Sequence, residues 1–259
     1  MKTPLILTLL LAVALVSPAH ARTLAEAKAA GTLNLYTSTD FAPFSSLIGS
    51  IASGGQKPVG FEVDLGNLIA SRLGLKPVWH VKGFDALLPL VRTDRSVDLV
   101  IASHAITSTR ARLVSFTNPH YCTGGVVLTR SGGPLTNQAF GGKRVGAEDG
   151  STYAGYLKKL PTGVQVNVFA NSEQSYAALL AGGVDAVVTD RFAALAAVDK
   201  YPQGKLMVGK TLWQERIGMV VARDNTALKA AVNQVLAKLL EDGSYARLSQ
   251  EYFKQDVRC

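Results

Sequence analysis

One arginine and one aspartate stand at the ends of apolar runs, where a folded chain can aim a charge at a ligand. Residues 97–110 (VDLVIASHAITSTR) open with apolar residues that do not alternate with polar ones, the pattern of a strand buried on both faces. The run then breaks into small polar residues and ends on Arg110, with Thr107 or Ser108 placed to cap a short helix. A guanidinium just past the carboxyl end of such a strand lies where open α/β sheets bind ligands. Its fixed fork of donors suits a carboxylate. By position alone, Arg110 is equally one of the 27 basic residues, solvating a surface loop. Residues 183–190 (GVDAVVTD) repeat the pattern and end on Asp190. A cation after one strand and an anion after the other suit a small zwitterion held between them.

The elements that must position these charges also come in pairs. Residues 84–88 (FDALL) and 176–180 (YAALL) form matching helical stretches upstream of the two strands. Residues 31–36 (GTLNLY) and 142–147 (GKRVGA) are strand openings of one type. The chain therefore reads as α/β, with two similar lobes of about 100 residues each. Residues 61–73 form an amphipathic helix with Gly74 just past its end. The last helix spans about residues 226–240, with Leu228, Ala231, Val232, Val235 and Leu239 on one face.

Composition narrows the function. Residues 1–21 combine Lys2, an apolar core of about 12 residues and the small-x-small end Ala19-His20-Ala21, which reads as a cleaved signal peptide. No cysteine follows to carry a lipid, so the expected location is periplasmic or secreted. The formal net charge is +8, yet no basic cluster or aromatic-interleaved basic stripe occurs, and nucleic acid is not an expected partner. The two cysteines, Cys122 and Cys259, read as a disulfide in an oxidising compartment. His80, His104 and His120 lack ligand spacing, so no metal and no cofactor are expected. Residues 204–211 (GKLMVGKT) fit the phosphate-loop pattern in letters, but a turn precedes them and no helix start follows.

Eight motifs in register carry a resemblance. They are TSTDFAPF (37–44), VGFEVDL (59–65), FDALLP (84–89), residues 97–110, SFTNPHY (115–121), VGAEDGST (145–152), VDAVVTD (184–190) and DGSYA (242–246). Together they resemble the extracytoplasmic solute-binding proteins of polar amino-acid ABC importers, such as those for glutamine and for lysine, arginine and ornithine. The resemblance covers about residues 31–253. It implies two lobes, each a mostly parallel sheet flanked by helices, joined by a two-strand hinge (the type II periplasmic-binding-protein arrangement). Lobe 1 would comprise 22–121 and 220–259, lobe 2 125–216, and the hinge 121–125 and 216–220. Cys122 falls where the chain leaves lobe 1, so its disulfide would pin the tail beside the hinge.

Carried over residue by residue, the resemblance makes Phe41 and Phe84 aromatic walls around the ligand's side chain. Their polar and glycine-flanked contexts favour semi-exposed rings. Arg110 would take the α-carboxylate with Ser151 and Thr152, and Asp190 the α-ammonium. Ser103 joins the ligand-binding set, while Asp98 and Asp185, at strand starts, are structural. Ser38 stands where lysine and histidine binders carry an acid, and Ala105 where relatives place a hydroxyl. Glu148 occupies a side-chain-contacting position that would repel an acidic ligand and welcome a cationic or amide one. The implied protein is a monomer that captures a polar amino acid and delivers it to a membrane permease. The alternative is a dehydratase of prephenate or arogenate on the same fold, with Glu148 or Glu173 as its acid.

Overall fold

A computed structural model describes residues 21–49, 55–161 and 163–259. The expected leader, apart from Ala21, and much of the Gly-rich turn at 50–57 lie outside the described residues. Helix α1 (Leu24–Ala30) begins in a capping box between Thr23 and Glu26 and ends at Gly31, whose φ is 67°. Strand β1 (Thr32–Thr37), the ribbon β2 (Ser46–Ile48) and β3 (Lys57–Val59), helix α2 (Phe61–Arg72) and strand β4 (Lys76–Val81) follow. Helix α3 (Phe84–Thr93), strand β5 (Leu99–Val100) and the single-turn α4 (Ser108–Ala111) lead into the long strand β6 (Ser115–Arg130). The next elements are β7 (Arg144–Glu148), α5 (Thr152–Leu157), β8 (Gln165–Phe169), α6 (Ser172–Leu180), β9 (Ala186–Asp190) and α7 (Arg191–Lys200). Strands β10 (Leu206–Val208) and β11 (Trp213–Val221) and helices α8 (Thr226–Glu241) and α9 (Ser244–Phe253) complete the described chain.

Nine strands form one sheet in the order β4-β1-β5-β11-β6-β9-β7-β8, with β10 paired to β6. Strands β4, β1 and β5 are parallel in one lobe, and β9, β7 and β8 in the other. Antiparallel β6 and β11 run through the middle, paired from Ser115↔Val221 to Gly125↔Trp213. The connection is therefore two long paired strands, where the sequence suggests short crossings with a fresh strand at 126. Ladder register slips on both sides of Gly218, the site where an added Cβ would lie 2.9 Å from the Ile106 side chain.

Local signals translated well at some places and poorly at others. Of the apolar run at 97–102 only Leu99 and Val100 pair as a strand, although Val97, Leu99, Val100, Ile101 and Ala102 are all buried. The chain leaves the sheet at Ser103, which adopts a left-handed φ of 53°. Residues 204–211 start at the end of a 3-10 turn (Pro202–Gly204), run through β10 and open no helix, which removes the phosphate-loop geometry. Asp98 receives Arg22 Nε at 3.0 Å, Arg22 Nη2 at 2.6 Å and the Asn34 amide at 2.7 Å, and Asp185 receives Arg144. Both are structural anchors, as expected.

Helix α8 is not the last helix. Gly243, with φ 76°, turns the chain into α9, whose Tyr245, Tyr252 and Phe253 pack on α2 and the lobe 1 core. Its buried residues are Tyr245, Leu248 and Ser249. The Tyr245 hydroxyl donates to the His120 carbonyl.

Cys122, in β6, is bonded to Cys259, and the Cys122 amide donates to the Val257 carbonyl at 2.9 Å. The bond spans 137 residues, a closure worth on the order of 5 kcal/mol in the chain-entropy picture. Thiol titration of the unfolded, unreduced protein should find no free thiol. Two reactive thiols per chain would contradict the bond.

Candidate functional site

Arg110 is positioned by a helix of four residues. Thr107 caps it by accepting the Arg110 amide at 3.2 Å. The guanidinium reaches across the interlobe cleft, donating to the Ala105 carbonyl at 3.0 Å and to the Gly150 carbonyl at 2.9 Å. It is 9% exposed, lies 5.7 Å from the Phe84 ring centroid and has no carboxylate in ion-pair contact among the described residues. Burial pushes its pKa down, and the nearby Glu215 opposes that shift.

A cavity of about 10 Å³ is lined by Phe41, Phe84, Ser103, Arg110, Glu148, Ser151 and Thr152, all named from sequence, together with Tyr153. Ser38 and Asp190 do not line it. Phe84 is half-buried as expected, whereas Phe41 is buried, stacked on Phe44 with centroids 5.4 Å apart. The reason is the ring cluster beneath it, in which Phe44 also stacks on Tyr121.

Glu148 ends β7, and its carboxylate accepts the Ser172 hydroxyl at 2.7 Å. Burial pushes its pKa up to about 7; Ser172 opposes this, and Asp40 and Asp85 add to it. Ser151 caps α5, accepting the Ala154 amide at 3.1 Å while donating to the Glu148 carbonyl at 2.6 Å. Ser103 donates from both its amide and its hydroxyl to Glu62, at 3.0 and 2.9 Å. Glu62 also lies 2.8 Å from His120 Nε2, and both members of that pair are fully buried. Serine here meets the carboxylate rather than the imidazole, so the trio is not a nucleophilic relay.

Asp190 ends β9 and caps α7. Its Oδ1 accepts the Phe192 and Ala193 amides at 2.6 and 3.2 Å, and its buried Oδ2 has no partner. Burial pushes the carboxyl up to about 7, with the Thr123 side chain and the two amides opposing and Glu215 adding to it.

Four further residues escaped the sequence reading. Tyr153 lines the cavity, Glu62 holds Ser103, and Glu215 is a buried acid whose Oε2 lacks a partner. His104 stacks on Phe84 at 4.4 Å with both ring nitrogens unpartnered, and burial drives its pKa well below the usual value. Glu62 sits in a quoted motif and Glu215 in a hinge strand, but only tertiary contact reveals their partners. Among the described residues no cluster of three or more metal-ligating side chains occurs.

One cation, several carboxyls and two aromatic rings between facing lobes define a protein built to enclose a small charged molecule. The family model for bacterial extracellular solute-binding proteins, family 3, matches residues 33–255, and the chain belongs to that family. The lysine/arginine/ornithine-binding periplasmic protein of Escherichia coli (strain K12) is 32% identical over 237 residues, 87% of this chain and 89% of that protein. An ancestral arginine-binding protein bound to arginine superposes with a TM-score of 0.79 at 32% identity, covering 86% of this chain and 98% of the other. An ancestral amino acid-binding protein, a precursor of cyclohexadienyl dehydratase, superposes with a TM-score of 0.79, covering 89% of this chain and 99% of the other. At 24% identity that likeness shows the fold alone. The names of these relatives describe proteins that bind amino acids.

Proposed function

We propose that this protein captures a cationic amino acid of the arginine, lysine and ornithine class between its lobes. The observation that carries the proposal is Glu148, a carboxyl on the wall of the Phe41–Phe84 cavity with Asp40 and Asp85 as its charged neighbours. An acidic side chain would be repelled there, and a guanidinium or ammonium attracted. The arginine-bound relative and the lysine/arginine/ornithine-binding relative point the same way. In this proposal the cavity, which at about 10 Å³ has room for no more than a water, widens to admit the ligand, and Phe41 and Phe84 enclose the aliphatic stem. Arg110, Ser151 and Thr152 take the α-carboxylate, and Asp190 the α-ammonium through its free Oδ2. Ser103 supports the site, and Ser38 leaves the acidic role to Glu148.

The lobes correspond to 22–121 with 220–259, and to 125–216, and turn about 121–125 and 216–220. The mature protein follows cleavage after Ala21, acts as a monomer outside the cytoplasm and hands its ligand to a membrane permease. Glu173 does not serve as a dehydratase acid in this proposal. Its oxygens are occupied by Lys200 Nζ at 2.8 Å and the Tyr201 hydroxyl at 2.5 Å.

Calorimetric titration tests the assignment. Arginine, lysine or ornithine should bind and glutamate should not; glutamate binding without any cationic ligand would sink it. Scattering adds a conformational test, because two lobes on a paired-strand hinge should close on the ligand. The radius of gyration should fall on saturation, and an unchanged value would argue against closure.

A further inference from the structure

A chamber of about 870 Å³ lies beside the small aromatic cavity, and Arg110, Ser151 and Thr152 line both. Those three residues are the ones assigned above to the α-carboxylate. The chamber thus begins where the carboxyl end of a bound amino acid stops. One wall carries the Tyr156–Trp213 stack, with centroids 4.4 Å apart and planes at 30°. Trp213 is seated against Gly125, where an added Cβ would lie 2.3 Å from the indole. Lys159 and Arg216 stand in the chamber, and neither forms an ion pair with another described residue. Glu215 lines it too; it is 8% exposed, the buried Tyr153 hydroxyl is its neighbour, and Oε2 makes no hydrogen bond of good geometry. A free amino acid in the aromatic cavity uses none of these groups.

We propose that the chamber is a second subsite, which takes a residue joined by a peptide bond to the ligand's carboxyl end. The protein then binds dipeptides whose first residue is cationic. The peptide carbonyl takes the carboxylate's place on Arg110, and the peptide N–H supplies the donor that Glu215 Oε2 lacks. The terminal carboxylate, moved outward, meets Lys159 and Arg216. The second side chain lies on the Tyr156–Trp213 wall, whose ring faces favour an aromatic or apolar group. Arg110 keeps a counter-charge nearby, because Glu215 is the acid that acts on it. The volume is within the range of about 300–1,000 Å³ usual for small-ligand sites.

This proposal rests on the cationic reading of the aromatic cavity, and the experiment separates the two. Calorimetry would use L-arginine, L-arginyl-L-phenylalanine and the reversed dipeptide L-phenylalanyl-L-arginine. Arginyl-phenylalanine should bind within about tenfold of arginine, and the reversed peptide at least about 100-fold more weakly than arginyl-phenylalanine. In the variant Lys159→Ala the arginyl dipeptide should lose about five- to tenfold in affinity, while arginine stays within about threefold. Retained arginine binding also reports that the variant is folded. Arginine binding without measurable arginyl-phenylalanine binding overturns the second subsite and leaves the first standing. So does an arginyl dipeptide whose affinity Lys159→Ala leaves unchanged, or equal losses for both ligands. Failure of all three ligands overturns the cationic reading itself.

Discussion

Replacing Arg110 by alanine, or Asp190 by asparagine, lowers affinity for the amino-acid ligand by roughly 30-fold to several thousand-fold, about 2–5 kcal/mol. Both charged ends of an α-amino acid lose water when the lobes close, and each then needs a charged partner. Arg110 is already desolvated and reaches both lobes, through the Ala105 and Gly150 carbonyls. A ligand carboxylate would replace neutral acceptors with a charged one. Arg110→Lys should also bind weakly, because a point charge cannot reproduce the two-pronged contact. Asp190→Asn is informative in another way. Asparagine caps a helix about as well as aspartate, so α7 keeps its start while the site loses its charge. Circular dichroism confirms folding, and calorimetry reads the affinity. Near-wild-type binding in both variants would overturn the amino-acid assignment; a surface charge should shift affinity by less than about threefold.

Affinity for a cationic amino acid rises steeply between pH 5 and pH 8. Asp190 and Glu148 both have pKa values pushed up to about 7, mainly because burial penalises their charged forms. The ligand's ammonium and side-chain cation favour the ionised carboxyls, so binding below pH 7 must expel protons. Each such carboxyl weakens binding up to about tenfold per pH unit below 7, and the effect levels off above it. Stability of the ligand-free fold moves the opposite way. Between the ordinary carboxyl range and pH 7 the folded state holds protons that the unfolded chain has released. Stability therefore falls as pH rises through that window. The ligand-induced rise in Tm should accordingly be larger at pH 8 than at pH 5. A flat affinity across this range would show that neither carboxyl meets a ligand charge.

Features set by near neighbours were legible in the sequence. Thr107 and Ser151 cap their helices because a cap needs only an amide three residues on. Of the residues that the family resemblance named, seven line one cavity, drawn from separate parts of the chain, and Asp190 is not among them. What the sequence concealed depends on distant apposition. Glu62 reaches Ser103 across 41 residues and His120 across 58, and no local signal announces either contact. Phe41 was expected half-open because its neighbours in sequence are polar, but Phe44 and Tyr121 build an aromatic bed beneath it. Helix α9 follows α8 after only Asp242 and Gly243, so no long break in the sequence sets it apart. Asp190 reads as a free charge, whereas half of its carboxylate is committed to starting α7.

The long ladder between β6 and β11 makes the joint a leaf spring rather than a door hinge. A loop joint swings freely and stores little, whereas paired strands flex as one blade and resist being bent. Curvature can be shared along the blade from the Phe116↔Val220 pair to the Gly125↔Trp213 pair, with the register slips at Gly218 as its most compliant point. In the proposed closure the ligand works against an elastic load when it draws the lobes together. Its net affinity is its contact energy less that bending work. The same load is returned as an opening force once the ligand's contacts are broken. Stiffness in the strands, remote from every ligand contact, thereby sets both how tightly cargo is held and how readily it is let go.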